Sequence, residues 1–161
     1  MIKINIIAVG KLKEDYWRKA EAEYLKRLGS SCKAQVTKLP ESRLSDSPSA
    51  KEIEKALSDE AALMQPYLET KNAFNIALCI EGKELTSEQL SRQIEDCAVQ
   101  GSSTINLFIG SSFGLAESVK SSCRLRLSMS RLTFPHQLAR VMLLEQIYRA
   151  FQISAHTRYH K

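Results

Sequence analysis

Residues Thr104–Leu115 read "TINLFIGSSFGL", a short, mostly apolar run that turns abruptly at Gly110 into small and hydroxylated residues. An apolar run of six bounded by turn residues predicts a strand buried on both faces. The glycine–serine stretch that follows is then the loop at the strand's carboxyl end. Upstream, "NIALCI" (Asn75–Ile80) has the same character. It is separated from the first run by a helical stretch that Thr86 and Gln89 open at capping-box spacing and that ends near Val99. Downstream, a short helix begins near Leu115, "RLRLSM" (Arg124–Met129) alternates like a strand, and a long helix is predicted over Pro135–Ser154, with Pro135 suited to its first turn.

The first half of the chain follows the same rhythm. "MIKINIIAV" (Met1–Val9) reads as a strand ending at Gly10. A helix is predicted over Glu14–Leu28 with Gly29 as its stop, and a weaker strand over Gln35–Leu39. Glu41–Ser49 is polar and serine-rich, hence a loop, and Ser49 with Glu52 opens a second helix that should fade near Pro66. Strand and helix alternating to the end predict an α/β fold, a mostly parallel sheet with helices on both faces, in one domain spanning 1–161.

A chain of 161 residues can bury roughly two thirds of the surface that its unfolded form exposes. Cys32, Cys79, Cys97 and Cys123 are scattered singly, with no histidine at metal-ligand spacing, so no metal site is expected and the thiols read as reduced. The N-terminal apolar run is too short for a secretion signal, and no stretch approaches membrane-spanning length. The expectation is a cytoplasmic protein without a membrane. The net charge of +5 is unevenly distributed: Lys120–Lys161 carries +7 and everything before it −2. That asymmetry points either to a polyanionic partner or to a solvated basic face.

In open α/β sheets ligands sit beyond the carboxyl ends of the strands. Gly110–Gly114 is neither a dinucleotide fingerprint nor a P-loop. The bend Leu132–Pro135 can line a pocket with main-chain polar groups, the means by which a flat heterocycle is held without charged side chains.

"LFIGSSFGL", "LSMSRLTFPHQLARVMLLEQIYRAF" and the terminal "RYHK", in this order and spacing, resemble the RlmH family, small methyltransferases of the SPOUT superfamily. "INIIAVGKLKEDYW" and "IALCIEGKELTS" extend the resemblance over essentially the whole chain. It implies a C-terminal trefoil knot, a homodimer, and S-adenosyl-L-methionine held by three loops that map to Leu78, to Gly110 and to Met129, Ser130, Arg131, Leu132, Thr133 and Phe134. It also implies a target, N3 of a pseudouridine in the helix 69 loop of 23S rRNA, methylated on the assembled ribosome. Small residues around Gly110 would let the backbone approach the cofactor. A branched side chain there is expected to fill the ligand's space and leave the fold intact. Family members often have glycine where this chain has Ser111, and proline where it has Arg158. A left-handed backbone at position 111 would cost serine about 1–2 kcal/mol.

Methyl transfer to a weakly acidic imide needs the nucleophile aligned and relieved of its proton. The candidate catalytic residues are His136, Arg140, Tyr159 and His160, with Arg149 as a further cation. His136 either caps the last helix or serves the site. Arg149 stands one turn after Glu145 and pairs with it on a helix, whereas Arg140 has no acid at that spacing and reads as a phosphate ligand. Tyr159 and His160, at a chain end that would ordinarily fray, are site residues only through the resemblance. The final helix carries more apolar surface than one core-facing stripe needs, which fits either a fully buried helix or a dimer interface. The competing functions are a non-catalytic RNA-binding ribosome assembly factor and a small-molecule enzyme.

Overall fold

A computed structural model describes Met1–Lys161 as ten alternating elements. These are β1 (Lys3–Val9), α1 (Asp15–Leu28), β2 (Lys33–Leu39), α2 (Ala50–Leu68), β3 (Ala73–Glu84), α3 (Ser87–Val99), β4 (Thr104–Ile109), α4 (Glu117–Ser122), β5 (Leu125–Ser128) and α5 (His136–Ser154). The five strands form one sheet in the order β2-β1-β4-β3-β5, and every neighbouring pair is parallel.

Alternation along the strands decides which helix covers which face. Ile4, Ile6, Ile76, Ile105 and Leu107 point to one side, where they pack with Leu28 of α1, Leu90 and Ile94 of α3, and Leu143, Leu144 and Ile147 of α5. Ile7, Val9, Ala77 and Phe108 point to the other, against Met64 of α2 and Val119 of α4. No helix is long and apolar enough to cross a membrane.

Both capping boxes form: Ser49 accepts from the Glu52 N–H, and Thr86 accepts from the Gln89 N–H. α2, however, runs through Pro66 to Leu68 instead of fading there. Its last carbonyls find donors in the sheet, since Asn106 Nδ2 donates to Tyr67 O at 2.8 Å and Asn75 Nδ2 to Leu68 O at 2.9 Å. These asparagines belong to a row across three strands. Asn5, Asn106 and Asn75 are in register, buried, and joined by Asn5 Nδ2 donating to Asn106 Oδ1 and Asn106 Nδ2 donating to Asn75 Oδ1. Such groups persist in a core only when hydrogen-bonded.

β3 extends to Glu84, four residues past the expected end, with its pairing to β5 interrupted between Leu78 and Lys83. Gly82 makes the return possible, because a Cβ there would stand 2.7 Å from the Leu127 carbonyl carbon. Pro135 is extended at ψ 135° and caps α5 from outside its first turn.

Candidate active site

The carboxyl ends of β3, β4 and β5 open into a cavity of about 450 Å³. Leu78 to Glu81 of β3 form one wall, Ile109 to Leu115 a second, and Met129, Ser130, Leu132, Thr133 and Phe134 a third. His136 and Ala139, from the start of α5, close the base. Of the residues expected to hold a cofactor, all but Arg131 face this space. Arg131 is 90 % exposed and turns away to Glu84, Nε to Oε1 at 3.0 Å. Sequence reasoning missed Cys79, which follows Leu78 in the same strand, and Glu81 and Lys120, which enter the wall because β3 overruns its predicted end and α4 leans on it. Lys120 pairs with Glu81 at 2.5 Å and holds that carboxyl below its ordinary value.

The Gly110 loop departs from expectation in its physical cause. A Cβ at Gly110 would lie 2.1 Å from the Gly114 carbonyl oxygen and 2.9 Å from Leu115 N. Glycine is therefore required by the loop's own return, closed by Gly114 N donating to Ser111 O at 2.9 Å, and not only by a ligand. A branched residue at 110 cannot leave the local fold intact. The left-handed position is Gly114, at φ +81°, while Ser111 has no positive φ and carries no such strain.

His136 stands in the cavity wall beside the exit of β1, its Nε2 3.8 Å from where a Gly10 Cβ would be. It donates no cap to α5. Arg140 is not a surface cation. It is 1 % exposed, donates through Nη2 to Gly10 O at 2.9 Å, and its Nη1 lies 3.7 Å from Glu21 Oε2. Burial lowers its pKa, and Glu21 opposes the shift. In this conformation no phosphate reaches it.

The tail folds back and does not fray. Tyr159 packs edge-on against Tyr148 with ring centroids 4.9 Å apart and donates its phenol to Glu145 Oε1 at 3.1 Å, while the Arg149 guanidinium sits 4.8 Å from its ring centroid. Arg149 pairs with Glu145 at 2.6 Å, the helical pair the spacing predicts. Burial and the Glu145 carboxylate raise the Tyr159 pKa, so the group stays a neutral phenol at physiological pH. His160 Nε2 lies 2.7 Å from Glu88 Oε1 at the start of α3. Neither tail residue lines the cavity of its own chain: Glu145 is nine residues along α5 from His136, about 14 Å of helix rise.

The basic excess of Lys120–Lys161 is largely compensated in three dimensions. Lys120, Arg126, Arg131, Arg140 and Arg149 each pair with a carboxylate, four of the five partners lying outside the segment. Arg124 lies over the Phe74 ring. Arg158 and Lys161 remain as exposed cations without an ion pair. The cysteines are free, and burial pushes Cys32 up to about 11 and Cys123 up to about 12.

The pattern described as "Predicted SPOUT methyltransferase" matches residues 2–160. A Clostridium botulinum protein (strain 657 / Type Ba4) named "Ribosomal RNA large subunit methyltransferase H" is 46 % identical over 160 residues, covering 99 % of this chain and all of that protein. Among solved structures, a probable methylase family protein from Haemophilus influenzae Rd KW20 superposes with a TM-score of 0.56 at 12 % identity, over 99 % of this chain and 70 % of that one. A putative methyltransferase from Legionella pneumophila, solved with bound SAM, gives 0.51 at 15 % identity over 95 % of this chain and 66 % of that one. The family match over residues 2–160 and 46 % identity from end to end, on a five-stranded parallel sheet with its cavity at the strand ends, place the chain in the SPOUT methyltransferase family, among the ribosomal RNA large subunit methyltransferase H proteins.

Proposed function

We propose that this chain is a one-domain methyltransferase that moves a methyl group from S-adenosyl-L-methionine to N3 of a pseudouridine in the helix 69 loop of 23S rRNA, acting as a homodimer on the assembled ribosome in the cytoplasm. The observation that carries the reading is the cavity formed by three strand-end segments. Its volume of about 450 Å³ accommodates the nucleoside of that cofactor, and its walls are largely apolar side chains interleaved with main-chain groups. Leu78, Gly110, Met129, Ser130, Leu132, Thr133 and Phe134 would hold the cofactor, which supplies an activated methyl on a sulfonium. Arg131, turned outward, is left for the RNA or for Glu84.

The residues of the chain divide the remaining work. Leu132, 71 % exposed at the rim, and Phe113, 47 % exposed, offer apolar surface on which a base can stack. His136, in the cavity wall, is the candidate to receive the N3 proton. Tyr159 as a phenol positions and does not deprotonate. With the tail distant from its own cavity, a second copy whose α5 runs against the first would bring its Tyr159 and His160 to this one. One face of α5 is buried within its own chain, with Val141, Leu144 and Ile147 inward, so the dimer contact falls to half-buried side chains such as Leu138 and Met142. The family's trefoil knot belongs to the same reading, with β5 and α5 as the threaded segment.

The test is mass mapping of 23S rRNA from cells lacking the protein, followed by in vitro methylation. Loss of one methyl in the helix 69 loop, restored by purified protein on intact ribosomes but poorly on naked 23S rRNA or a short hairpin, is expected. With few free cations in the Lys120–Lys161 segment, specificity must come from a shaped target more than from counterion release. An assembly factor without catalysis would leave the rRNA mass unchanged.

A further inference from the structure

Two acids are buried in this molecule, Glu21 and Glu60. Glu21 has cations beside it, Lys38 at 3.3 Å and Arg140 at 3.7 Å. Glu60, on α2 and 3 % exposed, has none within ion-pair distance. One of its oxygens accepts from the Ser42 N–H at 3.1 Å, and the other has no hydrogen-bond partner. Glu60 is part of the wall of a second cavity, of about 380 Å³, between α2 and the Glu41–Ser45 loop. Arg43 borders this space but forms no ion pair with Glu60.

An isolated buried carboxylate is costly and calls for a proton, a cation or a strong donor. Burial pushes the Glu60 carboxyl up, the Ser42 N–H and the nearby Ser111 hydroxyl pull it only part of the way back, and Glu41 and Asp59 push it up again, so with no cation beside it the pocket favours positive charge. The second cavity shares Ser111 and Phe113 with the first, and the loop that walls one walls the other. In the first cavity the charged side chains Glu81 and Lys120 already neutralise each other.

We propose that the second cavity receives the zwitterionic amino-acid end of the cofactor, whose α-ammonium donates to the free oxygen of Glu60 and whose α-carboxylate faces Arg43, so that one ligand spans both cavities across Ser111. This rests on the S-adenosyl-L-methionine reading above, and it adds a binding residue that none of the three cofactor loops contains.

Calorimetry with two ligands separates the possibilities. S-adenosylhomocysteine carries the amino-acid end, and 5′-methylthioadenosine lacks it. Glu60→Gln is expected to weaken S-adenosylhomocysteine about tenfold or more and leave 5′-methylthioadenosine unchanged, as for loss of a charge-assisted hydrogen bond. Equal weakening of both would show that Glu60 only shapes the Ser111 loop, and no weakening of either would remove it from the site. Both results overturn the proposal. In the unmodified protein, S-adenosylhomocysteine without its α-amino group should bind about tenfold more weakly than the parent compound, and equal affinities overturn the proposal even if the variant does not fold. Failure of the unmodified protein to bind either nucleoside would instead overturn the cofactor reading itself.

Discussion

Arg140 Nη2 and the Gly10 carbonyl oxygen, 130 residues apart in sequence, meet at 2.9 Å in the interior. The bond ties the exit of the first strand to the last helix, and Glu21 on α1 balances the charge. Removing one partner of such a group leaves the other buried and unpaired, which typically costs about 3–5 kcal/mol. Arg140→Ala should therefore lower unfolding free energy by about 3 kcal/mol in urea titrations, while Arg158→Ala, on the exposed tail, should stay within about 0.5 kcal/mol of the parent. An Arg140→Ala protein of full stability that had lost only RNA binding would restore the arginine to the phosphate-ligand role.

At the Gly110 loop the contact geometry reverses the expectation drawn from sequence. Gly110→Ala puts a methyl 2.1 Å from Gly114 O, so the loop must open, with a loss of more than about 2 kcal/mol and of cofactor affinity together. Ser111→Gly, at a position without positive φ, should destabilise by about 0.5–1 kcal/mol through added freedom in the unfolded chain. Thermal melts of both variants with and without S-adenosylhomocysteine check the pair.

Glu88 supplies a pH test of tail docking. Its own backbone N–H, His160 and Thr86 hold its pKa at about 2, down from 4.5. A depressed acid contributes stability above its unfolded pKa and loses it as pH falls through the folded one. The stability gap between the parent protein and Glu88→Gln should thus be full above pH 4.5 and close as pH approaches about 2. A gap independent of acid pH would mean that Glu88 is not engaged.

Tyr159→Phe keeps the ring on Tyr148 but removes the donor to Glu145, and should cost about 1 kcal/mol by denaturation. Deleting Arg158–Lys161 should spare S-adenosylhomocysteine binding, since no tail residue lines the cavity, and abolish methyl transfer to ribosomes. Normal turnover by the truncated protein would make the tail a structural strap only.

For the dimer, Met142→Lys is the cleaner probe, because Tyr148 is already engaged with Tyr24 and Tyr159 in its own chain. The substitution should shift the scattering mass to that of one chain and abolish methylation. An unmodified protein already of that mass would end the dimer proposal.

The strands and helices were legible wherever local chemistry settles them: short, mostly apolar runs at β3 and β4, and two capping boxes that form as spaced. So were seven of the eight residues expected around the cofactor, all but Arg131, which line the cavity at the ends of β3, β4 and β5. What could not be read depends on partners distant in sequence. α2 outlasts Pro66 because asparagines of other strands receive its end, and β3 overruns because Gly82 lets β5 return. Arg140 has no acid at helical spacing, yet meets one from α1. The +7 segment read as a polyanion grip or a solvated basic face, and could not show that carboxylates from β3, α1 and α4 are brought against several of its cations. Glu60 drew no notice in sequence because its significance is a missing partner, which only packing reveals.

The row Asn5–Asn106–Asn75 makes strand order a matter of matching keys. Side chains alternate faces, so sliding β4 by one residue against either neighbour would thrust Asn106 among Leu28, Ile94 and Leu143, and leave Tyr67 O without a donor. A chain whose apolar strands are otherwise nearly interchangeable is thereby kept from assembling in a shifted order during folding. The strand that carries Gly110 is keyed to the centre of the sheet, with a partner on each side, and the cavity at its end is placed by the same three amides.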